Sequence, residues 1–238
     1  MVTAVPTSMT TGTMLTLMSI ASGCMDILSY VLLGQVFTSA MTGNAALLGL
    51  GIGQGNLGAM SRSLAAFLAF LSGLLLGALL LRWTRSKSGQ LGQVTSALLL
   101  ESVLLVGFAW LWHVAAGPST GGKLYCLVAL SAMAMGVQSA VAHRLGVPGI
   151  TTTYFTGTIT TLAIGVVGDG VAQRRPDQLR WPILAFLAYL LGAVLTGYLV
   201  PNVPAPTPIH GFGLPALPAL LVALAVLVSL VRTATLVR

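Results

Sequence analysis

Charge is what this sequence has least of. Only 6% of its 238 residues are charged and four of them are acidic, where a soluble domain carries about a quarter. A chain this poor in polar side chains cannot cover a core with a water-facing surface. Cysteine is scarce as well. Cys24 and Cys126 both lie inside apolar runs and read as small buried hydrophobes rather than a disulfide pair. The histidines are few and scattered (His113, His143, His210), and no His-Glu-x-x-His, Gly-x-Ser-x-Gly or Cys-His arrangement occurs. No P-loop is present either, which excludes ATP-driven pumping by this chain alone. The expectation is a protein that is not an enzyme and that uses no metal or cofactor. Lys and Arg outnumber acids, giving a net charge of +7. They stand singly or in small groups at the ends of apolar runs, which is a topology signal and not a nucleic-acid face. The first twelve residues hold no Lys or Arg, so a secretory signal fits poorly and the spans themselves direct targeting.

What the chain does have is length without interruption. Apolar runs of about twenty residues, enough to span a bilayer, occupy 11–33, 62–82, 92–114, 122–143, 180–200 and 213–234. Two further segments, 35–55 and 147–170, differ in kind. Each opens with a β-prone stretch, passes a Thr-Gly, continues as a short helical run and ends in Gly-x-Gly. Thr42-Gly43-Asn44 matches Thr156-Gly157-Thr158, and Gly53-Gln54-Gly55 matches Gly168-Asp169-Gly170. Upstream, Gly23 and Gly136 stand at nearly equal distances from their Thr-Gly, and downstream Leu-Ala-Phe-Leu recurs at 68–71 and 184–187. Anchors in one order at matching spacing make 1–116 and 120–238 two copies of one repeat.

Charge placement then orients the copies. If all eight segments crossed, seven Lys and Arg would lie inside and four outside; if both odd segments dip in and return, nine lie inside and only Arg62 and Lys123 outside. The positive-inside rule favours the second arrangement. The fold expected is therefore an all-α membrane protein of six transmembrane helices plus two re-entrant strand/half-helix segments. Three crossings per half make the repeat inverted, 3+3, a device of transporters. Both termini face the cytoplasm of a bacterial inner membrane. The alternative is a strand and half-helix that cross completely, an arrangement that resembles the uracil and bicarbonate/sulfate transporters.

Broken segments at membrane depth expose backbone groups that protein or a wet cavity must satisfy. If Thr42 and Thr156 cap the half-helices, their hydroxyls and the free N–H groups nearby suit an anion or a dipolar solute. Thr42, Gly43, Asn44, Thr156, Gly157 and Thr158 are thus the candidate solute site, against the plainer reading that Thr-Gly only turns the chain. Asp26 sits in a polar stripe of the first span (Thr16, Ser19, Ser22, Gly23, Ser29, Tyr30) that must face inward. It is either a proton- or cation-coupling carboxylate or a partner that orients the half-helix beginning at Gly43. The matching stripe around Gly136 offers Gln138 and Ser139 but no acid. Glu101, among apolar neighbours, pairs across helices or protomers or carries a proton. Asp26, Tyr30, Glu101, Gln138 and Ser139 are the candidates for coupling or gating. Gly73 with Gly77 and Gly192 with Gly197 allow close helix contact within the chain or in a homodimer. Arg82, Arg85, Lys87, Arg174, Arg175 and Arg180 are topology anchors beside anionic lipid.

The run Gly23-x-x-Asp26-x-x-x-Tyr30-x-x-x-Gly34-x-Val36-Phe37, ending in Thr42-Gly43-Asn44, resembles the YoaK-like family of uncharacterised bacterial membrane proteins. Gly136-x-Gln138, Arg144, Thr151 to Thr153 and Thr156-Gly157-Thr158 fit the same family. Ser139 departs from it, standing where the family usually has Asn. The resemblance covers nearly the whole chain and implies a polytopic inner-membrane protein, but it names no substrate. The functional expectation is a transporter or permease for a small anionic or polar solute, with proton or cation coupling through Asp26. A passive channel and a non-transporting membrane subunit are the alternatives.

Overall fold

Uninterrupted Leu, Ala, Val and Met leave a backbone at lipid depth no water to bond, so each run closes its own hydrogen bonds as a helix. The computed structural model describes residues 9–86, 89–115, 120–145, 176–202 and 214–236. Its helices are α1 (Met9–Leu32), α2 (Met41–Gly53), α3 (Leu57–Trp83), α4 (Gln90–Val114), α5 (Gly122–Arg144), α6 (Pro176–Asn202) and α7 (Leu214–Leu236), with a 3₁₀ turn at Thr84–Ser86 after α3. Five of them, α1 and α3 to α6, are long and apolar enough to cross a membrane. In α7 the described apolar stretch is Pro215–Val231. The six expected long runs are each helical.

Most of α1 and α5 is buried, whereas less than a third of α3 and α6 is. The outer faces of α3 and α6 carry exposed leucines (Leu68, Leu75, Leu79, Leu187, Leu191), as a lipid-facing surface requires. α1 packs mainly on α6 and α7, α5 mainly on α3 and α4, and α4 meets α7.

Four glycines set the two tightest crossings. A Cβ added to Gly23 would lie 2.1 Å from the Tyr189 carbonyl oxygen, and one on Gly192 2.2 Å from that of Ile20. In the other crossing, a Cβ on Gly136 would lie 2.2 Å from the Phe70 carbonyl oxygen and one on Gly73 2.0 Å from that of Met133. Backbone therefore touches backbone in both, the close approach that small residues permit in membranes. Gly77, too, meets Ala140 and Val137 of α5. Gly73, Gly77 and Gly192 thus make their close contacts inside the chain. Phe70 and Tyr189 hold equivalent places against Gly136 and Gly23. Ala66-Phe-Leu-Ala-Phe70 accordingly corresponds to Ala185-Phe-Leu-Ala-Tyr189, a register three residues away from the Leu-Ala-Phe-Leu match.

Helix directions follow from paired contacts. α3 and α5 are parallel, since Ser61 bonds Tyr125 while Gly73 and Gly77 meet Met133 and Ala140 farther along both. α1 and α6 are parallel, from Gly12 against Trp181 to Gly23 against Tyr189. α5 runs antiparallel to α1: Ser22 reaches Met135, and Gln138, later in α5, reaches back to Met18.

The β-prone opening of segment 35–55 is not a strand, and no strand occurs among the described residues. Gly34 and Gln35 both have positive φ, 81° and 63°, and the Gln35 N–H donates to the Tyr30 carbonyl at 3.1 Å. That bond closes a Schellman turn, which ends α1 and redirects the chain. Among the described residues no strand neighbours residues 37–39, and side chains bond their backbone instead. The segment 147–170, with Thr156, Gly157 and Thr158, lies outside the described residues.

Candidate site at the helix break

The break between α1 and α2 is held at three levels. At its entrance, the Arg62 Nε of α3 donates to the Gly34 carbonyl at 2.9 Å. In its middle, Asn44 of α2 clamps one peptide unit from both sides: its Oδ1 accepts from the Phe37 N–H at 2.9 Å and its Nδ2 donates to the Phe37 carbonyl at 2.5 Å. At its deepest point, Asp26 accepts backbone N–H bonds from Thr38 at 2.9 Å and Ser39 at 2.7 Å on Oδ1. Its Oδ2 accepts from the Ser39 hydroxyl at 2.6 Å and from the Tyr189 hydroxyl of α6 at 2.8 Å. Asp26 and Thr38 are fully buried. The Arg62 and Asp26 bonds each have a charged partner, the class that is strongest where water is excluded, and the Asn44 pair is neutral.

α2 then leads back toward the entrance. Asp26 stands two turns before the end of α1, so Thr38 and Ser39 lie about 12 Å inward of Gly34 at 1.5 Å per residue. From there α2 runs thirteen residues, and Gly51 packs against the backbone of Met60 near the start of α3. Asn56 caps α3 by accepting from the Ala59 N–H at 3.0 Å.

This geometry corrects the expected capping. α2 begins at Met41 with Ala40 as N-cap and no side-chain cap bond. Thr42 is already inside the helix and faces outward. Asp26 occupies the place beside the α2 N-terminus where a solute anion was expected. A carboxylate there meets the two N–H groups that precede the helix and the positive end of its dipole. Gly43 serves packing: a Cβ would come 2.7 Å from the Phe37 ring. Tyr30 stacks on Phe37 with ring centroids 5.1 Å apart and covers the break from outside.

Of the coupling candidates, Gln138 joins the same polar column. Its Nε2 donates to the Ser22 hydroxyl at 2.6 Å and to the Met18 carbonyl at 3.0 Å, one turn of α1 from Asp26. Its buried Oε1 has no hydrogen-bond partner among the described residues. Ser139 is half-buried and is not brought to Asp26. Glu101 is fully buried on α4, away from this column, and neither of its oxygens has a partner among the described residues. No cluster of His, Cys, Asp and Glu that could hold a metal occurs among the described residues.

Tyr189, Arg62, Thr38 and Ser39 are site residues that sequence reasoning missed. The sequence held no signal for Tyr189: the Leu-Ala-Phe-Leu match sets it against Gly73, and only the glycine contacts of the folded chain set it against Phe70, with Asp26 against Ser139.

Comparison with known proteins adds the family. A family model described as "Protein of unknown function (DUF1275)" matches residues 14–228. The UPF0700 transmembrane protein YoaK of Bacillus subtilis (strain 168) is 33% identical over 195 residues, covering 80% of this chain and 84% of that protein. No solved structure matches.

Proposed function

Since this chain belongs to the DUF1275 family and is a multi-pass membrane protein, we propose that it is a transporter or permease for a small polar or anionic solute. The observation that carries this reading is the helix break: non-helical backbone at membrane depth, held by the buried carboxylate of Asp26. Broken helices whose N-termini face the membrane interior are how transporters present backbone N–H groups to a solute. In this chain the protein's own carboxylate holds that position. Asp26 then acts as a gate. Its protonation, or competition from a solute anion, weakens the hydrogen bonds that Thr38, Ser39 and Tyr189 make to its two oxygens and loosens its hold on the α2 N-terminus. A coupling role for Glu101 belongs to the same proposal, as the second carboxyl at lipid depth.

The proposed architecture is six crossings with two re-entrant segments, in inverted halves 1–116 and 120–238, with both termini cytoplasmic in a bacterial inner membrane. Three observations support it. α5, the first helix of the second half, runs antiparallel to α1, as an odd number of crossings per half requires. Arg62 near the start of α3 lies beside Gly34 just past the end of α1, so α2 returns to the face it came from. The packing partners also exchange in a regular way, α1 with α6 and α7 as α5 with α3 and α4. Reporter fusions after Asn56 and after Lys87 test this directly. The first is expected in the periplasm and the second in the cytoplasm; Lys87 in the periplasm overturns the re-entrant reading.

The functional test is flux. Proteoliposomes challenged with sodium formate, nitrate, acetate or urea are expected to shrink and reswell faster than empty liposomes for at least one solute, by stopped-flow light scattering. Asp26→Asn, which keeps shape and removes the anion as protonation does, is expected to hold the gate in its released state and raise that rate at neutral pH about tenfold, or about 1.4 kcal/mol in barrier. An unchanged rate in the variant sinks the gate, and no flux for any solute sinks the transporter in favour of an architectural membrane subunit. The complete satisfaction of Asp26 within the chain is what favours that second reading.

A further inference from the structure

A second polar feature lies far from the helix break, where α3 and α5 end side by side. There a cleft of about 540 Å³ opens between them, within the size range of small-ligand pockets. Its rim is cationic, formed by Arg82, Arg85, Arg144 and, alongside, His143, while its inner wall is apolar, with Leu74 and Ala78 among the lining. Arg144 is fixed in place by Gln93 of α4, whose Oε1 accepts from Nε at 3.2 Å and from Nη2 at 3.0 Å. The charge is not neutralised by either carboxylate whose side chain is described. Asp26 is committed to Thr38, Ser39 and Tyr189, and Glu101 makes no hydrogen bond. Two parallel helices both end here, so their carbonyl ends add negative dipole. Part of the arginine charge offsets those dipoles, but three guanidinium groups around one opening exceed them.

Position in the bilayer decides what such a cleft accepts. Trp83, between Arg82 and Arg85 in sequence, is strongly exposed, as an aromatic belt residue at headgroup level is. The wall below it is formed by Leu74, Ala78 and Leu81 of α3 with Ala140 of α5, beside the leucine-rich outer face of α3. A ligand seated here meets cations at the membrane surface and hydrocarbon a turn deeper. That is the profile of one molecule, an amphiphile with an anionic head and an acyl tail, and basic pockets between transmembrane helices take such headgroups. We propose that this cleft is a binding site for an anionic phospholipid, with its phosphate on Arg82, Arg85 and Arg144 and the upper part of a chain along Leu74 and Ala78. The proposal is independent of what the chain transports and of which leaflet the cleft faces.

Native mass spectrometry and thermal unfolding of the purified full chain in detergent test it, with phosphatidylglycerol, phosphatidylcholine of the same chains, and inorganic phosphate as probes. Phosphatidylglycerol is expected to be retained as a single adduct and to raise the unfolding midpoint, with little effect of the other two. Arg82→Gln combined with Arg85→Gln is expected to weaken its retention about thirtyfold, roughly fivefold per arginine. Ala78→Trp keeps every charge but fills the apolar wall, and is expected to abolish retention as well; it serves also if the arginine variant fails to fold. Equal retention of phosphatidylcholine, equal stabilisation by phosphate alone, or unchanged retention in Ala78→Trp would each overturn the assignment.

Discussion

Asp26→Ala is expected to destabilise the protein by about 3 kcal/mol, read as a lower midpoint when the purified protein is unfolded by adding sodium dodecyl sulfate to mild-detergent micelles. Two effects oppose each other. The substitution relieves the cost of keeping a charge at membrane depth. It also strips the acceptor from two backbone N–H groups and two hydroxyls. Side-chain hydrogen bonds between transmembrane helices average only about 0.6 kcal/mol, because the unfolded chain in the bilayer finds other partners. Thr38 and Ser39 have no such alternative, since a non-helical backbone cannot satisfy itself. The loss therefore wins. Graded variants separate the contributions. Asp26→Asn keeps one carbonyl oxygen for the backbone pair and is expected to cost about 1 kcal/mol, and Tyr189→Phe, which loses a single hydroxyl, about the same. An alanine variant as stable as wild type would show that the carboxylate does not hold the break.

The second large effect lies at the helix crossings. Gly23→Ala, Gly136→Ala, Gly73→Ala and Gly192→Ala are each expected to cost about 3 kcal/mol in the same assay, at the upper end for overpacking. The reason is what the new methyl group meets. At all four positions the nearest atom is a carbonyl oxygen of the facing helix, 2.0 to 2.2 Å away, and backbone cannot rotate aside as a side chain can. Whole helices would have to separate. Gly49→Ala and Gly107→Ala provide the contrast. Nothing lies within 4 Å of a Cβ there, so the gain in helix propensity is expected to stabilise by up to about 1 kcal/mol. Similar penalties in the two crossings would also support their equivalence; a large effect at Gly23 and Gly192 with none at Gly136 and Gly73 would count against it.

Long elements were legible because they depend on composition alone. An apolar run of twenty or more residues in lipid has no low-energy form but a helix, and the helices occur where those runs lie. The inward stripe of α1 was legible only in part: Asp26, Ser19, Ser22 and Ser29 are buried, but so are Met14, Met18, Met25 and Leu28 off the stripe, and Tyr30 at its end is exposed. Cap assignment at α2 failed. Thr42 has the chemistry of an N-cap, but an acid twelve positions before Thr38 reaches the helix terminus first, and a charge outcompetes a hydroxyl for backbone N–H groups. The β-prone stretch 35–39 failed similarly. β-branched residues favour extended backbone when a second strand can bond it, and among the described residues the partners of this stretch are Asn44 and Asp26.

By itself the sequence determined a bilayer-embedded, helical chain with an interrupted element after its first span and a buried acid in that span, because hydropathy and charge act through composition and are indifferent to partners. Its glycines announced close contacts without saying with whom. Only the tertiary structure decided that Gly23 and Gly192 serve one crossing and Gly136 and Gly73 another, that Asp26 rather than Thr42 meets the start of α2, and that Tyr189 completes the site from α6. Those outcomes depend on residues far apart in the chain arriving within a hydrogen-bond length of one another, and no local preference encodes that distance.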